Sequence, residues 1–402
     1  MTADRENRPG EIAGRARQLL VELCALSSPT GDADGVRAMA GRLAEELGRR
    51  GLACETELER GADGALHPVL LARGPAANGR CLLLVGHMDT VLPAVSPRLD
   101  GDRLVATGAL DMKGGLAMLV AALDLMAARG VPLPDGLTVL AVPDEEASGV
   151  ISERVVRLWS ERARAVLVLE PGEARGDAET LVAGRRGLSE WRLEVTGRAA
   201  HSGLAYWAGR SALAAAADWC LGAQRLSVPG PGRTINVSRV VAGTADFVDR
   251  LAECHDLLGS SRQRNVIADR AVAEGEARFL AAGEGDAAIA ELTALAGQVS
   301  AEHEVAATLT TGASVPPVDP HGPGEALVRR AVELAAARGF RLEVETDRGG
   351  ISFPNYLADP ASVAVVDGLG PVGNGMHTRE EWLDLRSLDR RIVLLADLLA
   401  TL

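Results

Sequence analysis

A short apolar run that ends beside a histidine and an acid is the feature that most constrains how this chain can fold. The run Cys81–Val85 is followed directly by Gly86, His87, Met88 and Asp89. A brief, continuous apolar run predicts a strand that is buried on both faces, as in a parallel sheet. Ligands bind at the carboxyl ends of such strands, and side chains two residues apart point the same way. We therefore predict that His87 binds a metal ion and that Asp89 supports His87.

Two further apolar runs end in the same manner, with acids shortly after the strand. Leu137–Val142 precedes the pair Glu145 and Glu146, and Ala165–Leu169 precedes Glu170. In a parallel sheet, the carboxyl ends of the strands meet at one edge. These three carboxylates are therefore expected to lie close to the histidine of the first run.

Two more candidate residues stand in loops. Asp111 lies in the glycine-rich stretch Gly108–Gly115, ahead of a predicted helix, and the glycines there would let the backbone approach a bound group closely. His377 lies in a long loop after the predicted strand Ala361–Val366. Both residues are expected at the same edge of the sheet.

Together these positions supply two histidines and four carboxylates. The set is His87, Asp111, Glu145, Glu146, Glu170 and His377. Imidazole and carboxylate ligands suit divalent ions, zinc first, with cobalt and manganese as alternatives. Two ions that share one bridging carboxylate would account for five of these ligands. Each residue taken singly has a simpler interpretation, such as a polar cap or solvated surface, but the joint placement favours a metal centre.

The hydrophobic pattern changes near Leu188 from continuous apolar runs to alternating apolar and polar residues, which indicates a second domain. Trp191, Leu193 and Val195 alternate with polar residues, a pattern typical of a strand with one solvent-exposed face. Such strands then mix with helices, which predicts an α+β insert with an antiparallel sheet inside a mostly parallel α/β domain. The predicted ranges are 1–187 and 313–402 for the split α/β domain and 188–312 for the insert. A chain of 402 residues is long enough for both domains.

Composition narrows the choice of compartment and partners. The net charge is −13, and an acidic chain is a poor candidate for binding nucleic acid or anionic membranes. No apolar run approaches a membrane span, and the polar segment Met1–Gly10 lacks the apolar core of a signal peptide. The five cysteines are scattered without a C-x-x-C pair, which indicates reduced thiols. We therefore expect a cytoplasmic protein that acts on a small molecule.

Seven short motifs resemble those of the zinc-dependent aminoacylase and carboxypeptidase family, and they occur in the family's order. The motifs are Gly86–Val91, Asp111–Gly115, Asp144–Glu146, Leu169–Pro171, Gly197–Gly203, Asn265–Ile267 and Gly375–His377. The family includes glutamate carboxypeptidase, acetylornithine deacetylase and succinyl-diaminopimelate desuccinylase. The motifs span nearly the whole chain, so the resemblance is specific. Leu369–Pro371, before the last motif, favours the glutamate carboxypeptidase-like members.

The resemblance implies a catalytic centre with two zinc ions. The ligand sets would be His87, Asp111 and Glu170 for one ion and Asp111, Glu146 and His377 for the other. Asp111 would bridge the ions, and its peptide bond to Met112 would be cis. Asp89 would orient His87 as an outer carboxylate, and Glu145 would be the general base.

The resemblance also implies that the insert is a lid and dimerisation domain. His201 would reach the site of the partner subunit in a homodimer and stabilise the oxyanion. Arg278 would bind the substrate carboxylate, since its guanidinium suits bidentate contact, and Asn265 would contact the substrate. Without the resemblance, Arg278 is equally consistent with a solvent-facing strand residue.

Three departures from the family pattern leave the metal residues intact and bear on the substrate. Relatives usually carry Gly-Ser directly after the pair of glutamates, whereas here Ser148 and Gly149 stand in the reverse order and at a shifted position. Phe353 stands where relatives have an acid. Ala245–Arg264 is an extra segment, with a helical pattern over Phe247–Leu258. We expect this segment to narrow the substrate pocket or to enlarge the dimer contact.

The leading hypothesis is a two-zinc hydrolase that cleaves the amide of an N-acyl amino acid or the C-terminal residue of a small peptide. One alternative is a biosynthetic deacylase that removes an acyl or glutamyl group from a specialised amino acid. Another is a non-catalytic binding protein with the same fold. The intact metal residues, together with Asp89 and Glu145, argue against this last alternative.

Overall fold

The computed structural model of the chain describes residues 8–75, 79–147, 149–230, 232–254, 265–281 and 283–402. The chain divides into two units, of which the first comprises 1–185 with 318–402 and the second comprises 186–317. The second unit begins at 186, where the sequence predicts 188, and ends at 317, where the sequence predicts 312.

Two helices begin the first unit, and most of the later helices of both units lie between strands along the chain. They are α1 (Arg8–Ala25), α2 (Ala33–Arg49), α3 (Gly114–Arg129), α4 (Val150–Ser160), α5 (Ala212–Gln224), α6 (Ala245–Cys254), α7 (Glu284–His303), α8 (Glu325–Ala337) and α9 (Leu385–Leu399). Helices α5, α6 and α7 belong to the second unit. The helical pattern predicted for the extra segment is confirmed over α6, and the rest of that segment, 255–264, lies outside the described residues.

The strands form separate sheets in the two units. They are β1 (Ala53–Arg60), β2 (Leu66–Arg73), β3 (Cys81–His87), β4 (Arg98–Asp100), β5 (Arg103–Val105), β6 (Leu137–Val142), β7 (Ala163–Val168), β8 (Ala174–Arg175), β9 (Ala178–Val182), β10 (Gly187–Thr196), β11 (Thr234–Gly243), β12 (Arg270–Phe279), β13 (Ala306–Val315), β14 (Arg341–Glu345), β15 (Ala364–Val366), β16 (Gly373–Asn374) and β17 (Trp382–Asp384).

The main sheet of the first unit has the order β1-β2-β6-β3-β7-β15. Strands β6, β3, β7 and β15 run parallel, and β2 pairs antiparallel with both β1 and β6. Strand β3 is central and buried from Leu82 to His87, as its apolar run predicts. The carboxyl ends of β3, β6 and β7 therefore lie side by side, which is the placement that the candidate site requires.

Helix α3 explains the glycines that follow Asp111. Most of its residues are apolar and buried, and the helix packs against both α1 and α9. A side chain at Gly115 would meet the carbonyl oxygen of Leu169 at 2.2 Å, and one at Gly114 would meet Leu383 at 2.3 Å. The glycines thus admit neighbouring protein atoms, whereas the sequence suggested close approach to a bound group.

The second unit is an antiparallel sheet with helices packed on it. The strand order is β11-β12-β10-β13, and α5 and α7 pack on this sheet. Trp191 and Trp219 form its centre, with ring centroids 5.0 Å apart. The alternation that the sequence shows along β10 therefore separates a core face from an open face. In α6, Val248 is buried and Phe247 half-buried, so the apolar face of this helix packs within the second unit.

Within the described ranges, no helix combines the length and the apolar character that crossing a membrane requires. The cysteines found there as free thiols are Cys24, Cys54, Cys81 and Cys220.

Candidate metal centre

His87 ends the central strand β3 and is fully buried. Its Nδ1 lies 3.0 Å from the backbone oxygen of Asp89 and 3.4 Å from an oxygen of the Asp89 carboxylate. Its Nε2 lies 3.1 Å from Asp111 Oδ1 and 3.8 Å from Glu170 Oε1. Because Nδ1 contacts the backbone oxygen of Asp89, Nε2 is the ring nitrogen that faces the carboxylates of Asp111 and Glu170.

Asp111 lies between the two histidines. While Oδ1 faces His87, Oδ2 lies 3.4 Å from Nε2 of His377. The same nitrogen of His377 lies 3.1 Å from Glu146 Oε2. The two oxygens of one carboxylate thus face two different imidazoles, which is the arrangement a bridging ligand needs. The peptide bond between Asp111 and Met112 is cis, as the family resemblance implies.

The acids after β6 and β7 complete two groups of metal-binding atoms. One group is His87, Glu145 and Glu170, and the other is His87, Asp111 and Glu146, with the donor atoms of each group within 4.8 Å of one another. The structure therefore brings all six of the predicted residues into one cluster.

Burial raises the pKa of several of these carboxyls. For Glu145 the pKa rises to about 7, and for Glu146 it rises to about 8, with the negative charge of Asp111 adding to burial in both. Burial also raises the pKa of Glu170 well above its usual range. These shifts show that so many negative charges are costly to bury together.

The pKa values of the two histidines and of Asp111 shift in the directions expected for oppositely charged partners. Burial favours neutral His87, but hydrogen bonds to Asp111 and Asp89 outweigh it and raise its pKa. A hydrogen bond to Asp111 raises the pKa of His377 to about 9. Burial opposes ionisation of Asp111, yet both imidazoles together hold its pKa below the usual range. The cluster thus stabilises positive charge, and its carboxylate and imidazole donors fit divalent ions such as zinc.

Asp89 connects the histidine to the general-base candidate. Its carboxylate accepts hydrogen bonds from the backbone N–H of Glu145 and of Glu146, each at 3.2 Å. It also accepts one from the Thr30 hydroxyl at 2.7 Å. Its backbone oxygen is closer to His87 than its carboxylate is. Asp89 therefore holds the Glu145–Glu146 backbone as well as supporting His87.

Two polar residues near the cluster were not identified from the sequence. Thr30 lies in the loop between α1 and α2. Glu381 is buried, and its carboxylate accepts hydrogen bonds from the backbone N–H groups of Gly108, Leu110 and Asp111. The one signal in the sequence that Glu381 lies near the cluster is its position four residues after His377.

Phe353, which replaces an acid of the family pattern, forms part of the wall of the cluster. Its side chain is fully buried, and its ring centroid lies 6.3 Å from that of His87. The preceding residue, Ser352, directs its hydroxyl to Glu170 at 3.4 Å. An apolar ring therefore lies beside His87.

The remaining predicted residues lie in the second unit. Asn265 Nδ2 lies 3.4 Å from Nε2 of His201, and the loop of His201 pairs with Val266. The guanidinium of Arg278, near the end of β12, makes two hydrogen bonds to Glu276, at 3.0 and 3.1 Å. His201 and Asn265 are thus together, while Arg278 contacts an acid of its own strand.

A model of peptidase family M20/M25/M40 matches residues 83–401. The chain belongs to this family. This M20 chain is 29% identical over 390 residues to carboxypeptidase G2 of Pseudomonas sp. (strain RS-16). The aligned region covers 95% of this chain and 88% of that relative. It is 26% identical over 387 residues to the succinyl-diaminopimelate desuccinylase of Leptothrix cholodnii, covering 92% and 94% of the two chains.

The fold agrees with solved structures of the family. Aminopeptidase PepT of Bacillus cereus ATCC 10987 superposes on this M20 chain with a TM-score of 0.79 and 20% identity, covering 96% of this chain and 98% of the other. At this identity the likeness shows the fold only. The predicted fold class and the predicted enzyme class, a metal-dependent hydrolase of amide bonds in acyl-amino acids or peptides, are confirmed. The two alternative functions are not favoured.

Proposed function

We propose that this M20 enzyme uses two divalent ions, zinc first, to cleave the amide of an N-acyl amino acid or of the C-terminal residue of a small peptide. The observation that carries the proposal is the position of Asp111. Its two carboxylate oxygens lie 3.1 Å from His87 Nε2 and 3.4 Å from His377 Nε2. A single carboxylate between two imidazoles is suited to two neighbouring ions.

The proposed ligands divide around these two histidines. They are His87, Asp111 and Glu170 for one ion and Asp111, Glu146 and His377 for the other. The carboxylate of Glu145 also lies near His87 and Glu170, but we assign Glu145 the role of general base instead of metal ligand. Of Glu145 and Glu170, Glu170 is the more deeply buried, which favours it as the fixed ligand.

The ions, when bound, would lower the pKa of water and polarise the amide carbonyl. Glu145 would take a proton from the attacking water and pass it to the departing amine. A general base works best when its pKa is near the working pH, and burial raises the pKa of Glu145 to about 7. Asp89 would keep Glu145 in place through the backbone N–H that it accepts at 3.2 Å.

Substrate contacts and assembly are proposed from the second unit. His201 would stabilise the oxyanion in the site of the partner subunit of a homodimer, with Asn265 beside it. Arg278 would bind a substrate carboxylate, which would have to displace Glu276 from its two hydrogen bonds. The name of the relative carboxypeptidase G2 supports release of a C-terminal residue.

Metal analysis together with a substrate panel tests this function. Protein stripped with a chelator and reloaded with zinc should hold two ions per chain and hydrolyse at least one N-acyl amino acid or dipeptide. Removing the zinc again should abolish this activity reversibly. His377→Ala should lose one ion, while His321→Ala, which removes an exposed histidine outside the cluster, should keep both. Trace metal after zinc loading, or full activity in the chelated protein, would overturn the proposal.

A further inference from the structure

The loop that carries His201 is closed at its base. Arg198 and Arg210 exchange two backbone hydrogen bonds, each 2.9 Å long. The Arg198 side chain donates to the carbonyl oxygen of Ala208 at 2.7 Å, and the Arg210 side chain donates to that of Trp207 at 3.1 Å. Arg210 is itself paired with Glu304. The loop is therefore held by its own backbone and by two guanidinium groups.

This fixed loop exposes three large apolar side chains. Leu204 is 85% exposed, Tyr206 is 55% exposed and Trp207 is 88% exposed. Leu204 and Trp207 have the highest exposed fractions among the large hydrophobic side chains of the described residues. The rings of Tyr206 and Trp207 meet edge to face, with centroids 5.0 Å apart. We refer to these three residues as the apolar loop patch; clustered exposure of this kind marks a binding surface.

The apolar loop patch adjoins the polar pair of His201 and Asn265. The backbone N–H groups of Leu204 and Ala205 both donate to the carbonyl oxygen of His201, at 3.2 and 2.8 Å. The His201 imidazole lies 3.4 Å from Asn265. Small-molecule sites characteristically combine apolar and aromatic walls with a few polar groups that fix the orientation of the ligand.

We propose that Leu204, Tyr206 and Trp207 form a subsite for an aromatic or large apolar group of the substrate. The inference rests on the proposed function, in which His201 faces the amide to be cleaved. A second copy of the chain is the other candidate occupant. We favour the substrate because the backbone of this loop is hydrogen-bonded directly to His201, which the proposed function places at the amide to be cleaved.

Paired substrates test the subsite. Wild type and Trp207→Ala are compared on the N-benzoyl and N-acetyl forms of one amino acid. We expect Trp207→Ala to lower kcat/KM for the benzoyl substrate by about tenfold, mainly through KM, because stacking on an aromatic side chain is lost. The loss for the acetyl substrate should be smaller, so the ratio of the two changes. Trp207→Phe should restore part of the preference.

Leu221→Ala is the matched control, since Leu221 is 55% exposed on α5 of the same unit and lies outside the loop. This variant should keep the wild-type ratio. An equal fall for both substrates in Trp207→Ala would overturn the subsite, as would a change in assembly mass at an unchanged substrate ratio, which would assign the patch to contact between copies. A wild type that hydrolyses no N-acyl amino acid or dipeptide would overturn the proposed function, and this inference with it.

Discussion

The carboxylate of Glu381 accepts a hydrogen bond from the backbone N–H of Asp111 at 3.0 Å. The same carboxylate accepts bonds from Gly108 at 2.9 Å and from Leu110 at 2.8 Å. Glu381 thus binds the turn that carries the candidate bridging ligand, and it follows the loop of His377 in the chain. One buried side chain therefore links the turn of Asp111 to the loop of the second histidine.

Replacing Glu381 by glutamine should weaken metal binding. An amide has one acceptor oxygen, so a glutamine can keep at most the hydrogen bonds from Leu110 and Asp111. Its NH₂ group would then face the backbone N–H of Gly108, which lacks an acceptor and strains the Asp111 turn. Residues that orient metal ligands are worth about 10–100-fold in affinity. We expect a fall of this size in zinc affinity for Glu381→Gln, measured by competition with a chelator.

The neighbouring acid provides the control for this variant. Glu380→Gln makes the same chemical change on a side chain that is 84% exposed. Its zinc affinity should match that of wild type. Equal affinity in both variants would mean that the Asp111 turn keeps its geometry without Glu381.

Glu145→Gln should separate catalysis from metal binding. The amide keeps the shape of the side chain but cannot take a proton from water. Because a positioned general base contributes roughly 10²–10⁴-fold, we expect the rate to fall by about a thousandfold with unchanged zinc content. The measurements are kcat under saturating substrate and metal analysis of the same sample. A rate within about tenfold of wild type would remove Glu145 from this role.

The raised carboxyl pKa values predict how pH affects the metal-free protein. Folding raises the pKa of Glu145 to about 7 and that of Glu146 to about 8, so the folded state binds more protons than the unfolded state between pH 4.5 and 8. Their contribution to the free energy of unfolding is therefore complete below about pH 4.5 and is lost as the pH rises through 7 and 8. The chelated protein should melt at a higher temperature at pH 5.5 than at pH 8.5.

Bound zinc should reduce this pH dependence, because a cation replaces the protons. Glu146→Gln should also reduce it in the chelated protein, since the amide does not titrate. Thermal unfolding of chelated and zinc-loaded samples at both pH values measures the effect. A chelated protein that is more stable at pH 8.5 would show that these carboxyls do not control its stability.

The sequence predicts the main sheet and the cluster through local patterns. Each apolar run places its following residue at the sheet edge, which is sufficient to bring His87 near Glu145 and Glu170. The contact of Thr30 with Asp89 and that of Glu381 with Asp111 join distant parts of the chain. Such contacts depend on the packing of α1 and of the 370–384 loops, which no local pattern encodes.

The second unit shows a different limit of sequence interpretation. Alternation along β12 places Arg278 on the open face, but it does not reveal the two hydrogen bonds to Glu276, two residues away on the same face. The exposure of Trp207 is equally hidden, because an aromatic residue in a loop is as consistent with burial. Both features depend on how neighbouring side chains pack, which the hydrophobic pattern leaves open.

A mixture of two inactive variants should test whether His201 serves the partner subunit. In a heterodimer of His201→Ala and Glu145→Gln, the first chain keeps Glu145 and the second keeps His201. If His201 acts across the interface, one of the two sites has both residues intact and the other has neither. Random pairing in a twofold dimer would then restore about a quarter of the wild-type activity.

The same mixture distinguishes action within one chain. There, one site of the heterodimer lacks His201 and the other lacks Glu145, so no activity would return. Heterodimers carrying two different affinity tags are purified before assay, and their mass is checked by light scattering. Mixed Glu145→Gln and Glu146→Gln chains are the control, because both changes fall in the first unit and each site would remain defective. Activity above this control in the purified heterodimer would place His201 in the partner's site, and its absence would confine His201 to its own subunit or to no catalytic role.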